Sequence, residues 1–161
     1  MSQTKKGHIV KQIELKKSAK TKTTLKLLVV DDSVFSLNVY KDVFEKRGHE
    51  VDLAIDGSAC LDRYNFEMIK NSSISNKPPY DMVVLDYEMP GLKGDVVAQR
   101  ILNINPNQKI TIISSWEIEK MQKEFSSLAD FVEIVEKGTP LEAIISKFER
   151  CYGSQRPKLS N

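Results

Sequence analysis

Apolar and polar positions alternate along this chain in two periods, one suited to strands and one to helices. Residues 25–30 (LKLLVV) form a short apolar run that stops at Asp31-Asp32. Residues 33–47 follow with Val34, Leu37, Tyr40 and Phe44 at helical spacing, and Gly48 supplies a stop. Residues 50–55 (EVDLAI) alternate as a strand does, with Asp56-Gly57 as a turn, and residues 58–70 read as a helix. A polar, proline-containing loop covers 71–79. The pattern then repeats: a strand over 80–86, a helix over 95–104, a strand over 109–114, a helix over 116–128 and a strand over 130–136. Thr139-Pro140-Leu141-Glu142 has the form of a capping box with proline at the first helical position. Leu141, Ile144, Ile145 and Phe148 then recur at i, i+3, i+4 and i+7.

Five strands alternating with five helices predict an α/β fold, with a parallel sheet covered on both faces. Near-continuous apolar strands such as MVVL (82–85) fit burial on both sides. The 161 residues, 40% of them hydrophobic, suffice for one core and leave little for a second. No apolar run approaches the roughly 18 residues of a membrane span, and no apolar stretch of the secretory kind follows the lysine-rich start. Cys60 and Cys151 lack metal or redox spacing, so a cytoplasmic protein with two reduced cysteines is expected. Asn71-Ser72-Ser73 has the glycosylation pattern, which carries no weight without secretion.

Charge is unevenly distributed. Seven Lys and one Glu fall within residues 1–24, and Arg156 and Lys158 within 153–161. The formal net charge of +2 therefore resolves into two basic tails around a body, residues 25–152, that carries −6. An acidic body argues against nucleic acid as a direct partner. The N-terminal tail, 1–24, is expected to be solvated and flexible, and 153–161 to be a short polar tail with no effector domain beyond it.

Ligands of open α/β sheets bind at the carboxyl ends of the strands. The expected strands end in Asp31-Asp32, Asp86, Ser114-Ser115 and Glu136-Lys137. Each has an ordinary explanation when taken alone. The acid pair can cap a helix, Asp86 can serve the turn before Met89-Pro90, Ser114 can be a strand-end hydroxyl and Lys137 a solvated lysine. Together they place three carboxylates, a hydroxyl and an ammonium on one edge. Clustered carboxylates repel unless a cation intervenes. Mg2+ commonly uses one or two carboxylates together with phosphate oxygens. A carboxylate can also take a phosphoryl group as an acyl phosphate, with lysine as a point charge for its oxygens.

The pieces LLVVDDS, DMVVLDYEMPGLKG, TIISS and VEKGTP stand in the order and contexts that resemble a response-regulator receiver domain of the CheY-like type, over about residues 25–150. The resemblance implies a doubly wound (βα)5 fold, flavodoxin-like, with strand order 2-1-3-4-5. It implies Asp86 as phosphoacceptor and Mg2+ or Mn2+ as cofactor. The metal would be held by Asp31, Asp32, Asp86 and the backbone carbonyl of Glu88, with Asp32 the direct ligand of the pair. Ser114 would be the switch hydroxyl and Lys137 the conserved-type lysine. A histidine kinase or phosphotransfer protein would be the donor, and altered binding of a downstream protein the output, with no membrane span.

The sequence departs from that pattern at several places. Gly138 follows Lys137 where proline is common. Ile134 takes the place of the usual switch aromatic, and Phe131 is off register. Ser115 and Trp116 replace the residues usual after the hydroxyl. Glu88 and Trp116 occupy the positions that flank the route of hydrolytic water in receivers, so both are candidate modulators. Taken alone, Trp116 is a packing residue, and Tyr87 is expected to be partly exposed at the rim. Two other functions remain open: an aspartate-based phosphatase of the haloacid dehalogenase class, suggested by Asp86-Tyr87-Glu88, and a degenerate receiver acting as an unphosphorylated scaffold.

Overall fold

A computed structural model describes residues 24–71, 77–116 and 118–153. The N-terminal stretch 1–23, residues 72–76 of the polar loop with its Asn-Ser-Ser pattern, and 154–161 lie outside the described residues. Five strands, β1 Lys26–Val30, β2 Glu50–Ala54, β3 Met82–Asp86, β4 Ile110–Ser114 and β5 Val132–Glu136, form one sheet in the order β2-β1-β3-β4-β5. Every pairing is parallel. The helices are α1 Val34–Lys46, α2 Gly57–Asn71, α3 Gly94–Ile104, α4 Ile118–Glu124 and α5 Leu141–Gly153, with a 3-10 turn at Ser126–Leu128.

The alternation of strand side chains explains the two layers. Leu28 and Val30 of β1 and Val83 and Leu85 of β3 join Tyr64, Val97, Ile101 and Met121 from α2, α3 and α4. Leu27, Val29, Met82 and Val84 point the other way, to Leu37 and Phe44 of α1 and Ile144, Ile145 and Phe148 of α5. All five residues of β3 and of β4 are buried, as sheet-centre strands with two covered faces must be. The chain leaves β1 for β2 on one side and returns to β3 on the other. The carboxyl ends of β1 and β3 therefore flank the topological switch point, where such sheets open a crevice.

Four local expectations are corrected. The helix expected over 116–128 is shorter, because the Ser126 hydroxyl donates to the Lys123 carbonyl and the chain tightens into the 3-10 turn. Thr139 does not simply cap α5: its hydroxyl donates back to the Glu136 carbonyl, and Pro140 offers its own carbonyl to Ala143 and Ile144. Asp56 and Gly57 form a helix start rather than a free turn, with the Asp56 carboxylate accepting from the Ala59 N–H at 2.7 Å. Val34, placed on the helix's periodic face by spacing, is 58% exposed, because only Leu37 and Phe44 of that set are buried against the sheet.

Far along the chain, one carboxylate ties α5 to the turn after α1. Glu149 accepts from both Nε and Nη2 of Arg47 and lies 3.0 Å from Nε2 of buried His49. The His49 Nδ1 accepts from the Leu25 N–H, which leaves the proton on Nε2 to donate to Glu149. The Arg47 hydrogen bonds hold the Glu149 carboxyl below its ordinary value; burial opposes this and His49 assists it. A carboxylate depressed in the folded state stabilises the fold above its unfolded pKa, and that contribution is lost as pH falls through the folded value. Glu149→Gln should therefore lower the urea midpoint at pH 7, and the gap to wild type should shrink below about pH 4.5. A gap that stays constant down to the acid limit of folding would contradict this.

Candidate functional site

The acid pair lies in the short link between β1 and α1. The helix N-cap is Ser33, whose hydroxyl accepts from the Ser36 N–H, so neither aspartate is spent on capping. Asp31 instead accepts from the Ser33 N–H at 2.8 Å, and its own N–H donates to the Ala54 carbonyl of β2 at 3.2 Å. The Asp31 side chain is thus fixed and buried, while Asp32 is exposed. Asp86, the last residue of β3, is 4% exposed.

One carboxylate oxygen from each of Asp31, Asp32 and Asp86 lies within 4.8 Å of the other two. The Lys137 Nζ donates to Asp86 Oδ1 at 3.0 Å, and the Lys137 N–H donates to the Ser114 carbonyl at 2.8 Å. Burial holds the Asp31 carboxyl above its ordinary value; the Ser33 N–H opposes, and the charges of Asp86 and Asp32 add to the rise, against Lys137. Burial pulls Lys137 down, but its hydrogen bond to Asp86 and the charges of Asp86, Asp31 and Glu88 prevail and raise it. Tyr40, half-buried on α1, is pushed up to about 12 by burial and by the Asp31 and Asp86 charges, so its phenol keeps its proton. A buried acid that is harder to ionise beside two other carboxylates is a donor set short of positive charge. One lysine supplies part of it. A hard divalent cation with oxygen ligands fits the remainder.

Glu88 is exposed just past β3, close enough to add to the charge felt by Lys137. Ser114 is fully buried, and its hydroxyl is engaged with the following turn. It donates to the Trp116 carbonyl at 2.7 Å and accepts from the Trp116 N–H at 3.0 Å. Trp116 precedes α4 and is 63% exposed, so the expectation that it packs the helix start does not hold. Tyr87 is also corrected, from rim to core. Its N–H continues the β3–β4 ladder to the Ile113 carbonyl, and the ring, 7% exposed, joins Met89 and Val97 with the Lys93 ammonium over its face. Ile134 packs half-buried against the same cluster. Phe131 lies before β5, at the opposite end of that strand from Lys137, under the Lys109 ammonium. It therefore cannot stand in for an aromatic near Ser114.

Gly94, the first residue of α3, has no polar signature and is not marked by the strand-end argument. A Cβ there would meet the Asp86 carbonyl oxygen at 2.6 Å and the Tyr87 Cα at 2.9 Å. Beside Asp32 a cleft of about 460 Å3 runs between the β2–α2 corner and Pro90-Gly91-Leu92, with Asp56 and Ser58 on its wall. Gly91 supports that turn with φ +80, and Gly138 after Lys137 has φ +101.

The model of the response regulator receiver domain family matches residues 27–149. The chemotaxis protein CheY of Treponema pallidum is 31% identical over 100 residues, which cover 62% of this chain and 63% of that protein. Sporulation initiation phosphotransferase F of Bacillus subtilis is 29% identical over 111 residues, covering 67% and 81%. Among solved structures, the receiver domain of the Francisella response regulator 1452 superposes with a TM-score of 0.64 at 22% identity, over 83% of this chain and all of that one. The response regulator TrrA of Thermotoga maritima, solved in complex with Mg2+ and beryllium fluoride, gives 0.57 at 26% identity, over 78% and 96%. With the sheet order, the strand-end acids and a family match across nearly the whole described body, the chain belongs to the response regulator receiver domain family of two-component signalling.

Proposed function

We propose that the body of this chain, residues 25–152, takes a phosphoryl group on Asp86 from a histidine kinase or a phosphotransfer protein and passes the change to a protein partner. The observation that carries this is the meeting of Asp31, Asp32 and Asp86 within 4.8 Å, with Lys137 on Asp86. Sporulation initiation phosphotransferase F and the metal-bound TrrA structure support it by analogy. In the transfer, an Asp86 oxygen attacks phosphorus, the donor's N–P bond breaks, and the departing imidazole nitrogen keeps the bonding pair. Lys137 is placed to move from the Asp86 carboxylate to a phosphoryl oxygen. Asp31, Asp32, Asp86 and the Glu88 carbonyl would hold Mg2+ or Mn2+. When bound, the ion supplies positive charge for the phosphoryl oxygens.

Ser114 would respond by leaving its paired bonds to the Trp116 backbone for the phosphoryl group, releasing the link into α4. Ile134 offers no aromatic ring to follow it. Among the described residues no helix is long and apolar enough to cross a membrane. A cytoplasmic protein with basic tails at 1–24 and 153–161 is proposed from its likeness to two-component receivers.

The test is calorimetric titration of Mg2+ into wild type, Asp32→Ala and Asp31→Ala. Asp32 is exposed and would meet the ion directly, whereas Asp31 already accepts from the Ser33 N–H. The Asp32 variant should lose more affinity, about tenfold or more for a lost ligand worth 1.4 kcal/mol. Equal losses would sink the ranking, and undiminished binding in both would sink the site. A phosphatase would instead turn over a phosphomonoester many times per chain.

Glu88 and the exposed Trp116 ring would modulate the lifetime of the acyl phosphate. An indole that excludes water slows hydrolysis. Trp116→Ala should speed dephosphorylation by about tenfold if the shield is worth about 1.4 kcal/mol, and wild-type fluorescence should change when beryllium fluoride binds. An unchanged rate in the folded variant would remove the shield from the account.

A further inference from the structure

Helix α2 has a second face that neither the core nor the acidic site uses. Cys60, Tyr64 and Glu67 turn inward, whereas Ala59, Asp62, Phe66 and Ile69 recur at i, i+3, i+7 and i+10. That spacing gathers them within an arc of about 80° on the outer side of the helix. Phe66 is 65% exposed and Ile69 74%. The same face overhangs the open edge of the sheet. There α1, β2 and α2 enclose a groove of about 670 Å3, lined by Leu37, Leu53, Ile55 and Phe66 with Asp62 and Arg63 on its wall. Large apolar side chains gathered on one exposed surface mark a place where other apolar groups are received.

The charges around Phe66 decide what fits there. Asp62 stands four residues before it and Lys70 four residues after it, so both share its face. Both are exposed; Lys70 lies 3.8 Å from Glu67, and Asp62 has no ion pair among the described residues. Arg63, beside Asp62, is paired with Asp52 at 3.4 Å. A partner of one charge sign would meet a like charge at one end of this face. A copy of the same face, turned antiparallel about a two-fold axis through Phe66, meets none at these two positions. Asp62 of each copy then stands level with Lys70 of the other, and the two Phe66 rings meet between them. Self-complementarity of this kind is what an isologous contact requires. The 15 residues of α2 make a face about 22 Å long. Buried on both copies with the rims of the groove, a helix face of that length falls in the class below about 1,200 Å2, which associates weakly and reversibly.

We propose that a second copy of this chain docks on this face, α2 against α2 in antiparallel, with Phe66 of each copy at the two-fold axis beside the other's groove. Asp62 and Lys70 pair across the contact at both ends and fix its register. The result is a weak dimer joined at the β2 edge of the sheet. This inference does not depend on phosphorylation of Asp86.

The experiment is sedimentation equilibrium of the full chain over a range of concentrations from micromolar to near millimolar. Wild type should pass from monomer to dimer across that range. Phe66→Ser, a change at an exposed position, should weaken the dimer at least tenfold while circular dichroism stays unchanged. Asp62→Lys and Lys70→Asp should each weaken it, and the two together should recover most of the loss. Residues 62 and 70 are eight apart on one helix, too far to touch within a copy, so recovery reports a contact between copies. A wild type that stays monomeric throughout, which would leave the face to some other protein, would overturn the proposal. So would a dimer indifferent to Phe66→Ser, or a double reversal no stronger than the single ones.

Discussion

Gly94→Ala is expected to lower stability by about 2 kcal/mol and to slow phosphorylation as well. The added Cβ would stand 2.6 Å from the Asp86 carbonyl oxygen, 2.9 Å from the Tyr87 Cα and 3.2 Å from the Asp86 carbonyl carbon. All three are backbone atoms and cannot rotate away. Overpacking of this kind costs about 1–3 kcal/mol, and more where the neighbours cannot yield. Alanine gains helix propensity over glycine, but by no more than about 1 kcal/mol, and less at a first helical position. Sterics therefore win. The relief available is a shift of α3 away from the end of β3, which breaks the 3.1 Å bond from the Gly94 N–H to the Tyr87 carbonyl and moves Asp86 relative to Lys137. Gly57→Ala makes the useful comparison. Its contacts are the Val97 Cγ2 at 2.6 Å, the Leu92 Cβ at 2.8 Å and the Leu92 carbonyl at 3.1 Å, so side-chain movement can absorb more of the strain. Urea unfolding of the two variants beside wild type decides the matter: a Gly94→Ala midpoint equal to wild type would show that the close approach beneath Asp86 is not tight.

The consequence for Asp86 shows what the sequence could and could not reveal. Asp86 and Lys137 were legible because a strand that ends in a charged residue places it at the sheet's carboxyl edge, whatever the packing around it. β3 and β4 were legible as uninterrupted apolar runs, since two covered faces leave no polar alternation. Gly94 was not, because a missing Cβ signals nothing until the backbone it approaches is known. Burial of Tyr87 was missed because the ladder continues one residue past the apolar run and turns the ring inward, toward Met89 and Val97. The His49–Glu149 contact joins residues 100 positions apart, beyond any local period. Thr139 had the residue types of a cap, but its hydroxyl turns back to Glu136, a choice set by the loop after Lys137. Ser114 was located correctly in the chain, while its present engagement with the Trp116 backbone depends on loop geometry alone.

Asp86 is the carboxylate proposed to accept the phosphoryl group. Asparagine at this position keeps the shape of the side chain and removes the nucleophilic oxygen. It also removes one of three mutually repelling charges, while the Lys137 ammonium, 44% exposed, can be solvated in compensation. Asp86→Asn should therefore fold with undiminished stability and yet take up no phosphoryl group, so lost uptake cannot be blamed on lost structure. The measurement is the intact mass of the full chain after incubation with acetyl phosphate and Mg2+, wild type beside Asp86→Asn. Wild type is expected to gain the mass of one phosphoryl group and the variant none. A variant that gains it as wild type does, or a wild type that gains none under these conditions, would contradict the account.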